Sequence, residues 1–221
     1  FTNYEYRGAM LDVARHFFDI DDVKRYIDIL SLYKFNFLHL HLTDDQGWRI
    51  EIKKWPQLTV IGGAKEVGGT DGGFFTQTEY KELVNYAHEK FITIIPEIDV
   101  PGHTNAALAS YAELNCNGIS PNIYTGIEVG FSSLCAQKKV TYKFLEDVVD
   151  EISLLTKGPY FHVGGDESYV TSDEDFIQII DSVFSYVQKN NKTPITWDNN
   201  VKTGEINQLW NEGSDFMAIK K

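Results

Sequence analysis

The feature of this sequence that most restricts its fold is a regular alternation of two kinds of segment. Short apolar runs rich in Val, Ile, Leu and Phe alternate with stretches that have the apolar spacing of amphipathic helices. Such alternation is typical of parallel βαβ units, and the near-continuous apolar runs indicate a sheet covered on both faces. We expect strands in six runs, at 9–14, 35–42, 91–100, 160–165, 193–198 and 206–211. Helices are expected near 21–34, 76–90, 104–113, 141–156 and 172–190.

These six units predict an α/β fold, a (β/α)8 TIM barrel truncated after about six βα units. A complete barrel has eight units and usually occupies about 250 residues. The alternative is an open, doubly wound sheet. We favour the barrel because polar residues collect at successive strand ends, which in a barrel form one mouth. The 221 residues contain no linker-like tract, so we expect a single domain over 1–221, incomplete at its C-terminus.

The charge and the motifs of the chain limit its partners. A net charge of −12 argues against nucleic acid and anionic membranes. No apolar run approaches the roughly 18 residues of a membrane span. No phosphate-binding glycine motif and no C-x-x-C pair occurs, so we expect no cofactor and no metal. Cys116 and Cys135 either form a disulfide, which implies an oxidising compartment, or remain free thiols.

Candidate catalytic and binding residues follow the ends of the predicted strands. They are carboxylates, histidines, an arginine and tryptophans. Tryptophan faces combined with carboxylates suit a sugar ring, which has apolar C–H faces and a rim of hydroxyls. The candidates are Arg15, Asp44, Asp45, Glu97, Asp99, His103, Asp166, Glu167, Trp197, Asp198, Trp210 and Glu212.

Each candidate taken alone also has a purely structural explanation. The Asp-Asp-Gln-Gly sequence at 44–47 could be a turn. Arg15 could be an ion-pair partner of Asp12, and the acidic pair at 166–167 could answer a helix dipole. Other candidates could be satisfied inward-facing histidines or core aromatics, namely His39, His41, Trp197 and Trp210. Their joint position at consecutive strand ends favours a functional site.

Four segments carry a resemblance to a known family: "YRGAMLDVARHFF" (6–18), "FLHLHLTDDQGWRIEI" (37–52), "PEIDVPGHTNAALASYAELNC" (96–116) and "YFHVGGDES" (160–168). They resemble the catalytic domain of family 20 glycoside hydrolases, the β-N-acetylhexosaminidases, and most of all the bacterial exo-acting members. The H-x-G-G-D-E run at 162–167 is the most specific segment. In that family a small α/β domain precedes the barrel and two further strands complete it, so the resemblance implies that this chain lacks both.

The resemblance implies removal of terminal, non-reducing β-linked GlcNAc or GalNAc with retention of configuration. In these hydrolases the 2-acetamido group of the substrate is the nucleophile and forms an oxazolinium intermediate. Glu167 would be the general acid and then the general base. Asp166 would orient the acetamido N–H and stabilise the developing charge. Adjacent carboxylates whose side chains diverge would suit this division of roles.

The resemblance also implies roles for residues around this pair. His103 would support the acid/base together with Asp44, which we prefer to Asp45 for this role. Arg15 would bind the 3- and 4-hydroxyls of the sugar. Trp197 and Trp210 would surround the acetamido methyl group. His162 and Asp45 are further expected substrate-binding residues, and bacterial relatives carry a disulfide where Cys116 and Cys135 lie.

The expected partners are oligosaccharides or glycoconjugates that end in N-acetylhexosamine, and the expected location is secreted or at the cell surface. One alternative is a lacto-N-biosidase, which releases a disaccharide. A second is a sugar-binding module without catalysis. A third is a metal-dependent hydrolase that uses the H-x-H pair at 39–41 with His103, His162 and Asp198.

Overall fold

The computed structural model of this chain describes residues 4–197 and 206–209. Its strands are β1 (Gly8–Asp12), β2 (Phe37–His41), β3 (Thr43–Asp44), β4 (Gly47–Trp48), β5 (Thr93–Glu97), β6 (Tyr160–His162), β7 (Thr193–Trp197) and β8 (Ile206–Gln208). Six of them form one parallel sheet in the order β1-β2-β5-β6-β7-β8.

The strand order separates the two predicted folds. Each strand of the six-stranded sheet pairs with the next such strand along the chain. A doubly wound sheet reverses direction at a switch point, whereas a barrel adds its strands in order. The fold therefore corresponds to six consecutive strands of a (β/α)8 barrel, which confirms the predicted fold class.

The helices are α1 (Ile20–Leu32), α2 (Gln57–Val60), α3 (Gln77–Glu89), α4 (Asn105–Ser110), α5 (Lys139–Leu155) and α6 (Asp173–Lys189). Local signals set several of their starts. The side chain of Asp19 accepts the backbone N–H groups that begin α1, and Thr76 and Glu79 form a capping box at α3. None of the helices among the described residues is long and apolar enough to cross a membrane.

The alternation of Leu and His in β2 separates the core from the site. Leu38 and Leu40 are fully buried in the apolar core between sheet and helices. Successive side chains of a strand point to opposite faces, so His39 and His41 face the barrel interior. The register pairs His41 with Glu97 of β5, and Glu97 with His162 of β6. Polar side chains from three neighbouring strands therefore lie side by side inside the barrel.

The structure adds elements that the sequence pattern did not predict. β3 and β4 form an antiparallel hairpin in which Asp44 pairs with Gly47 across a turn at 45–46, so the predicted turn is present. The predicted strand at 91–100 shortens to Thr93–Glu97, and its later start follows from the left-handed φ of 60° at Phe91. The predicted helix at 104–113 is divided into α4 and a 3-10 turn at Ala112–Leu114.

Candidate active site

A pocket of about 250 Å3 opens at the carboxyl ends of the parallel strands. The pocket is lined by candidate site residues from the sequence and by two others, Met10 and His41. The candidates in the lining are Arg15, Asp44, Asp99, Asp166 and Trp197. The strand ends therefore meet at one mouth, as the barrel prediction required. The lining combines one guanidinium, several carboxylates and an indole.

Asp44 is the centre of the polar contacts around this pocket. Its Oδ1 accepts from Nδ1 of His103 at 3.0 Å and from the backbone N–H of Asp45 at 2.6 Å. Its Oδ2 accepts from Nε2 of His41 at 2.7 Å and from the Arg15 guanidinium at 2.9 Å. Burial alone would raise the pKa of Asp44, but the hydrogen bonds and charges of His103 and His41 outweigh it and hold the pKa well below its usual range.

His103 connects Asp44 to the two adjacent carboxylates. Nε2 of His103 lies 3.5 Å from Oε2 of Glu167 and 3.7 Å from Oδ2 of Asp166. Burial lowers the pKa of His103, but the hydrogen bond and charge of Asp44, and then the charge of Asp166, raise it above its usual value overall. Asp44, His103 and Glu167 thus form a continuous row. The preference for Asp44 over Asp45 as the partner of His103 agrees with these distances, because Oδ2 of Asp45 is 3.9 Å away.

The two adjacent carboxylates converge rather than diverge, which corrects our expectation. Oxygen atoms of Asp166 and Glu167 lie within 4.8 Å of each other and of the His103 ring nitrogen. Extended backbone would send neighbouring side chains to opposite faces. Glu167 instead has a left-handed φ of 44°, which turns its side chain back to the face of Asp166. Such a conformation costs a non-glycine residue of order 1–3 kcal/mol, and strain of this kind collects at functional sites.

The glycines before this pair allow a close approach of the backbone. Gly164 has a φ of 70°, and a Cβ atom there would overlap the side chain of Asp99. The backbone N–H of Gly165 donates to Oδ1 of Asp99 at 3.1 Å. Burial, followed by the charges of Asp166, Glu97 and Asp44, raises the pKa of Asp99 well above its usual value. Burial and neighbouring negative charge thus favour the protonated form of Asp99 beside Asp166.

At the base of the pocket lies a group that we name the Glu97 layer, which contains His39, His41, Glu97, His162 and Trp197; His41 and Trp197 also line the pocket. Oε2 of Glu97 accepts from Nε2 of His39 at 2.7 Å and from Nδ1 of His41 at 2.6 Å. Its Oε1 accepts from the indole N–H of Trp197 at 2.8 Å. Burial would raise the pKa of Glu97, but the charges of the surrounding histidines hold it well below its usual value. Glu97 lies at the end of a predicted strand, but no role for it could be derived from the sequence. The only indication was its position two residues before Asp99, which puts both side chains on the same face of a strand.

Arg15 contacts two carboxylates. Its guanidinium donates to Asp12 at 2.9 Å, as the structural explanation proposed, and also lines the pocket against Asp44. Arg49, which the sequence did not single out, anchors the loop that carries Arg15. It is fully buried and donates to backbone carbonyl oxygens, including those of Val13 and Ala14. Burial lowers the pKa of Arg49 to about 10.

Two residues predicted to bind substrate lie behind the pocket wall, which corrects those predictions. His162 is fully buried in the Glu97 layer, with its ring 4.5 Å from that of His39. Asp45 is fully buried as well, and its Oδ1 accepts from the backbone N–H of Asn105 and the hydroxyl of Ser132. Asp45 thus fixes the start of α4 to a loop beside the site. Trp197 is in the predicted place, whereas the predictions for Asp198, Trp210 and Glu212 lie outside the described residues.

The predicted disulfide between Cys116 and Cys135 is present, with an S–S distance of 2.01 Å. It closes a loop in which Ser132 donates to Asp45 and the carbonyl of Gly126 accepts from Gln46. The disulfide therefore constrains a segment that packs directly against the hairpin carrying Asp44.

Within residues 4–197 and 206–209, several buried groups bring three possible metal-ligating atoms within 4.8 Å. The two histidines of the metal hypothesis fall in different groups, His39 with Glu97 and His162, and His41 with Glu97 and Asp99. The nitrogens of His39 and His41 lie 2.7 and 2.6 Å from Glu97. Two ligands on one tetrahedral zinc would be about 3.3 Å apart. These are hydrogen-bond distances, and the geometry favours a hydrogen-bonded layer over a metal centre.

Comparison with known proteins agrees with this geometry. Residues 4–178 match the family described as "Glycosyl hydrolase family 20, catalytic domain". A beta-N-acetylhexosaminidase of Cellulomonas fimi is 41% identical over 216 residues, covering 96% of this chain and 44% of the relative. A beta-hexosaminidase of Porphyromonas gingivalis is 49% identical over 168 residues, covering 74% of this chain and 21% of the relative. The chain thus spans less than half the length of these two relatives.

Solved structures give the same result. The family 20 β-N-acetylhexosaminidase of Streptomyces coelicolor A3(2) superimposes with a TM-score of 0.92 at 51% identity, covering 94% of this chain and 43% of that one. The Streptomyces plicatus N-acetyl-β-hexosaminidase in complex with Thio-NAglucal has a TM-score of 0.93 at 52% identity, covering 98% and 44%. A mutant of the latter was solved in complex with its product, GlcNAc. This chain belongs to the catalytic domain of glycoside hydrolase family 20.

Proposed function

We propose that the protein is a retaining exo-β-N-acetylhexosaminidase that removes terminal, non-reducing β-linked GlcNAc or GalNAc. The carrying observation is the row Asp44–His103–Glu167, whose Asp44 lines a pocket together with Asp166 and Trp197. Family membership and the names of the relatives support the same activity. The substrates would be oligosaccharides or glycoconjugates with a terminal N-acetylhexosamine.

Catalysis would be assisted by the substrate. The carbonyl oxygen of the 2-acetamido group attacks C1, the glycosidic C1–O bond breaks, and Glu167 gives its proton to the leaving oxygen. Water then adds to C1 and gives a proton to Glu167, and the bond from C1 to the acetamido oxygen breaks, which restores the 2-acetamido group. Glu167 suits this double role because His103 lies 3.5 Å from its carboxylate and is itself held by Asp44.

Asp166 would act at the acetamido group. It lines the pocket, and its side chain is 19% exposed. Burial, followed by the charges of Asp166, Glu97 and Asp44, raises the pKa of Asp99 beside it. Asp166, which faces the pocket, would accept a hydrogen bond from the acetamido N–H. Arg15 has five N–H donors and engages two carboxylates, so its guanidinium has further donors for sugar hydroxyls.

The test compares an aryl β-N-acetylglucosaminide with the matching aryl β-glucoside on the intact protein. The two substrates differ only at C2, so the proposal requires cleavage of the acetamido sugar and loss of that activity in Glu167→Gln. Asp166→Asn should lower kcat by roughly 10²–10³-fold, because Asp166 would stabilise charge that develops in the transition state. Similar rates for both wild-type substrates would contradict the substrate-assisted route. Release of a disaccharide from longer chains would instead favour a lacto-N-biosidase.

We also propose an extracytoplasmic location, secreted or at the cell surface. The disulfide between Cys116 and Cys135 supports it, because structural disulfides persist mainly in oxidising compartments. Alkylation of intact cells followed by mass spectrometry tests this proposal. Labelling of both cysteines before any reductant is added would contradict it.

A further inference from the structure

His41 links two buried carboxylates. Its Nδ1 lies 2.6 Å from Glu97 and its Nε2 lies 2.7 Å from Asp44. A neutral imidazole has only one N–H, and an ionised carboxylate can only accept. Both short contacts are therefore hydrogen bonds only if His41 carries a proton on each nitrogen. An imidazolium enclosed by two carboxylates is a fixed cation at the base of the pocket.

Through His41 the Glu97 layer is joined to the acid/base. The contacts run from the indole N–H of Trp197 to Glu97, from Glu97 to His41, and from His41 to Asp44. Asp44 then contacts His103, whose Nε2 faces Glu167. A series of hydrogen bonds from Trp197 to His103, followed by the 3.5 Å approach of His103 to Glu167, thus connects a wall of the pocket to the group that protonates the leaving oxygen.

We propose that His41 is a positioning residue which, held by Glu97, fixes the carboxylate of Asp44 so that His103 supports Glu167 during proton transfer. This inference rests on the proposed function, since it concerns the acid/base of that reaction. His41 itself would not transfer a proton to substrate. Its effect reaches Glu167 through Asp44 and His103.

The geometry around Asp44 explains why His41 is needed. Oδ1 of Asp44 serves His103, and Oδ2 is held by His41 and by Arg15. The Arg15 side chain is 31% exposed and also bound to Asp12, whereas the His41 side chain is 3% exposed and bound to the buried Glu97. His41 is thus the more rigid of the two anchors. Without it the Asp44 carboxylate is free to turn toward Arg15, and its hydrogen bond to His103 weakens.

The experiment compares two variants of the intact protein, His41→Asn and His39→Asn. Both histidines are buried and both donate to the same oxygen of Glu97, at 2.6 and 2.7 Å. Only His41 also contacts Asp44. His39→Asn is therefore a matched control for the loss of one Glu97 partner inside the barrel.

The readout is the ratio of kcat/KM for two β-N-acetylglucosaminides, one with an alkyl leaving group and one with a strongly activated aryl leaving group. The alkyl substrate needs the general acid, which is worth roughly 10²–10⁴-fold, and the activated aryl substrate needs it little. We expect His41→Asn to lower this ratio at least about tenfold, while His39→Asn leaves it within about twofold of wild type. A ratio does not depend on the fraction of protein that is folded, so reduced stability alone does not change it.

Two results would overturn the inference. One is an unchanged ratio in His41→Asn, and the other is an equal fall in both variants. If His41→Asn yields no folded protein, Glu97→Gln keeps the side-chain volume, removes the charge that holds His41, and must lower the ratio in the same direction. Wild-type protein that cleaves neither acetamido sugar would instead refute the proposed function, so the two failures are distinguishable.

Discussion

Arg49→Lys is a direct test of how the loop carrying Arg15 is held in place. Arg49 is a buried guanidinium whose hydrogen bonds go to backbone carbonyl groups of three segments. The acceptors are Val13, Ala14, Gly63, Lys65 and Gly73, at 2.7 to 3.2 Å. Lysine keeps the charge but has three donors and no planar fork. The substitution therefore separates the geometry of the guanidinium from its charge.

The magnitude follows from counting acceptors. Three ammonium donors can satisfy at most three of the five carbonyl groups, so two or more buried carbonyls lose their partner. Each unsatisfied buried group costs about 1–3 kcal/mol, so the free energy of unfolding should fall by at least about 2 kcal/mol. For a domain of this size, about 2 kcal/mol corresponds to a Tm lowered by roughly 4–8 °C.

Thermal unfolding followed by circular dichroism or calorimetry measures this change. Arg25→Lys is the control, because the Arg25 side chain is 77% exposed and lies 3.9 Å from Asp22. We expect that control to alter stability by no more than about 0.5 kcal/mol. If Arg49→Lys also lowered Tm by less than about 1 °C, the carbonyl contacts would not stabilise this loop and the argument would be wrong.

Three further predictions concern the site. Asp44→Asn should lower kcat/KM on the order of 10²-fold, whereas Asp45→Asn should mainly lower stability, by about 1–2 kcal/mol; steady-state kinetics and unfolding of both variants check this, and equal kinetic losses would contradict it. Gly164→Ala should destabilise more than Gly118→Ala, because φ is 70° and 72° at the two glycines but a Cβ meets a side chain only at Gly164. Burial lowers the pKa of His41, yet its carboxylate partners raise it well above the usual value, so its contribution to stability is complete below about pH 6.5 and is lost as the pH rises through the folded-state pKa. Urea unfolding from pH 6 to 10 should show this alkaline loss in wild type and a flatter profile in His41→Asn; parallel profiles would refute it.

The barrel and its mouth could be predicted because strand ends are a local property of the sequence. Arg15, Asp44, Asp166 and Trp197 each follow or end an apolar run, and the parallel sheet brings them to one pocket. The disulfide depended on the resemblance, since spacing alone left free thiols open. For the barrel and its mouth, by contrast, element type and order were sufficient.

The Glu97 layer could not be predicted in the same way, because it depends on register. His41, Glu97 and His162 become neighbours only when β2, β5 and β6 pair as they do. A shift by one residue would move each of these side chains to the opposite face of the sheet. The alternation of Leu and His in β2 indicated that the histidines face inward, but not which carboxylate they would meet. Arg49 was missed for a related reason, since its acceptors lie in loops distant in the sequence.

The adjacent carboxylates show most clearly what a sequence pattern leaves open. Two neighbouring acids in extended backbone point to opposite faces, and from that rule we expected Asp166 and Glu167 to diverge. The backbone at Glu167 is not extended, since its φ is left-handed at 44°. As a result, a carboxylate oxygen of each residue approaches Nε2 of His103. Nothing in a Glu residue favours that conformation, so the surrounding contacts must impose it. The carbonyl of Glu167 accepts from the backbone N–H of Tyr169, and Gly165 is tied to Asp99, so the turn is held on both sides of the pair. Proximity in sequence therefore provides two acids at one strand end, and tertiary contacts decide that they share one histidine.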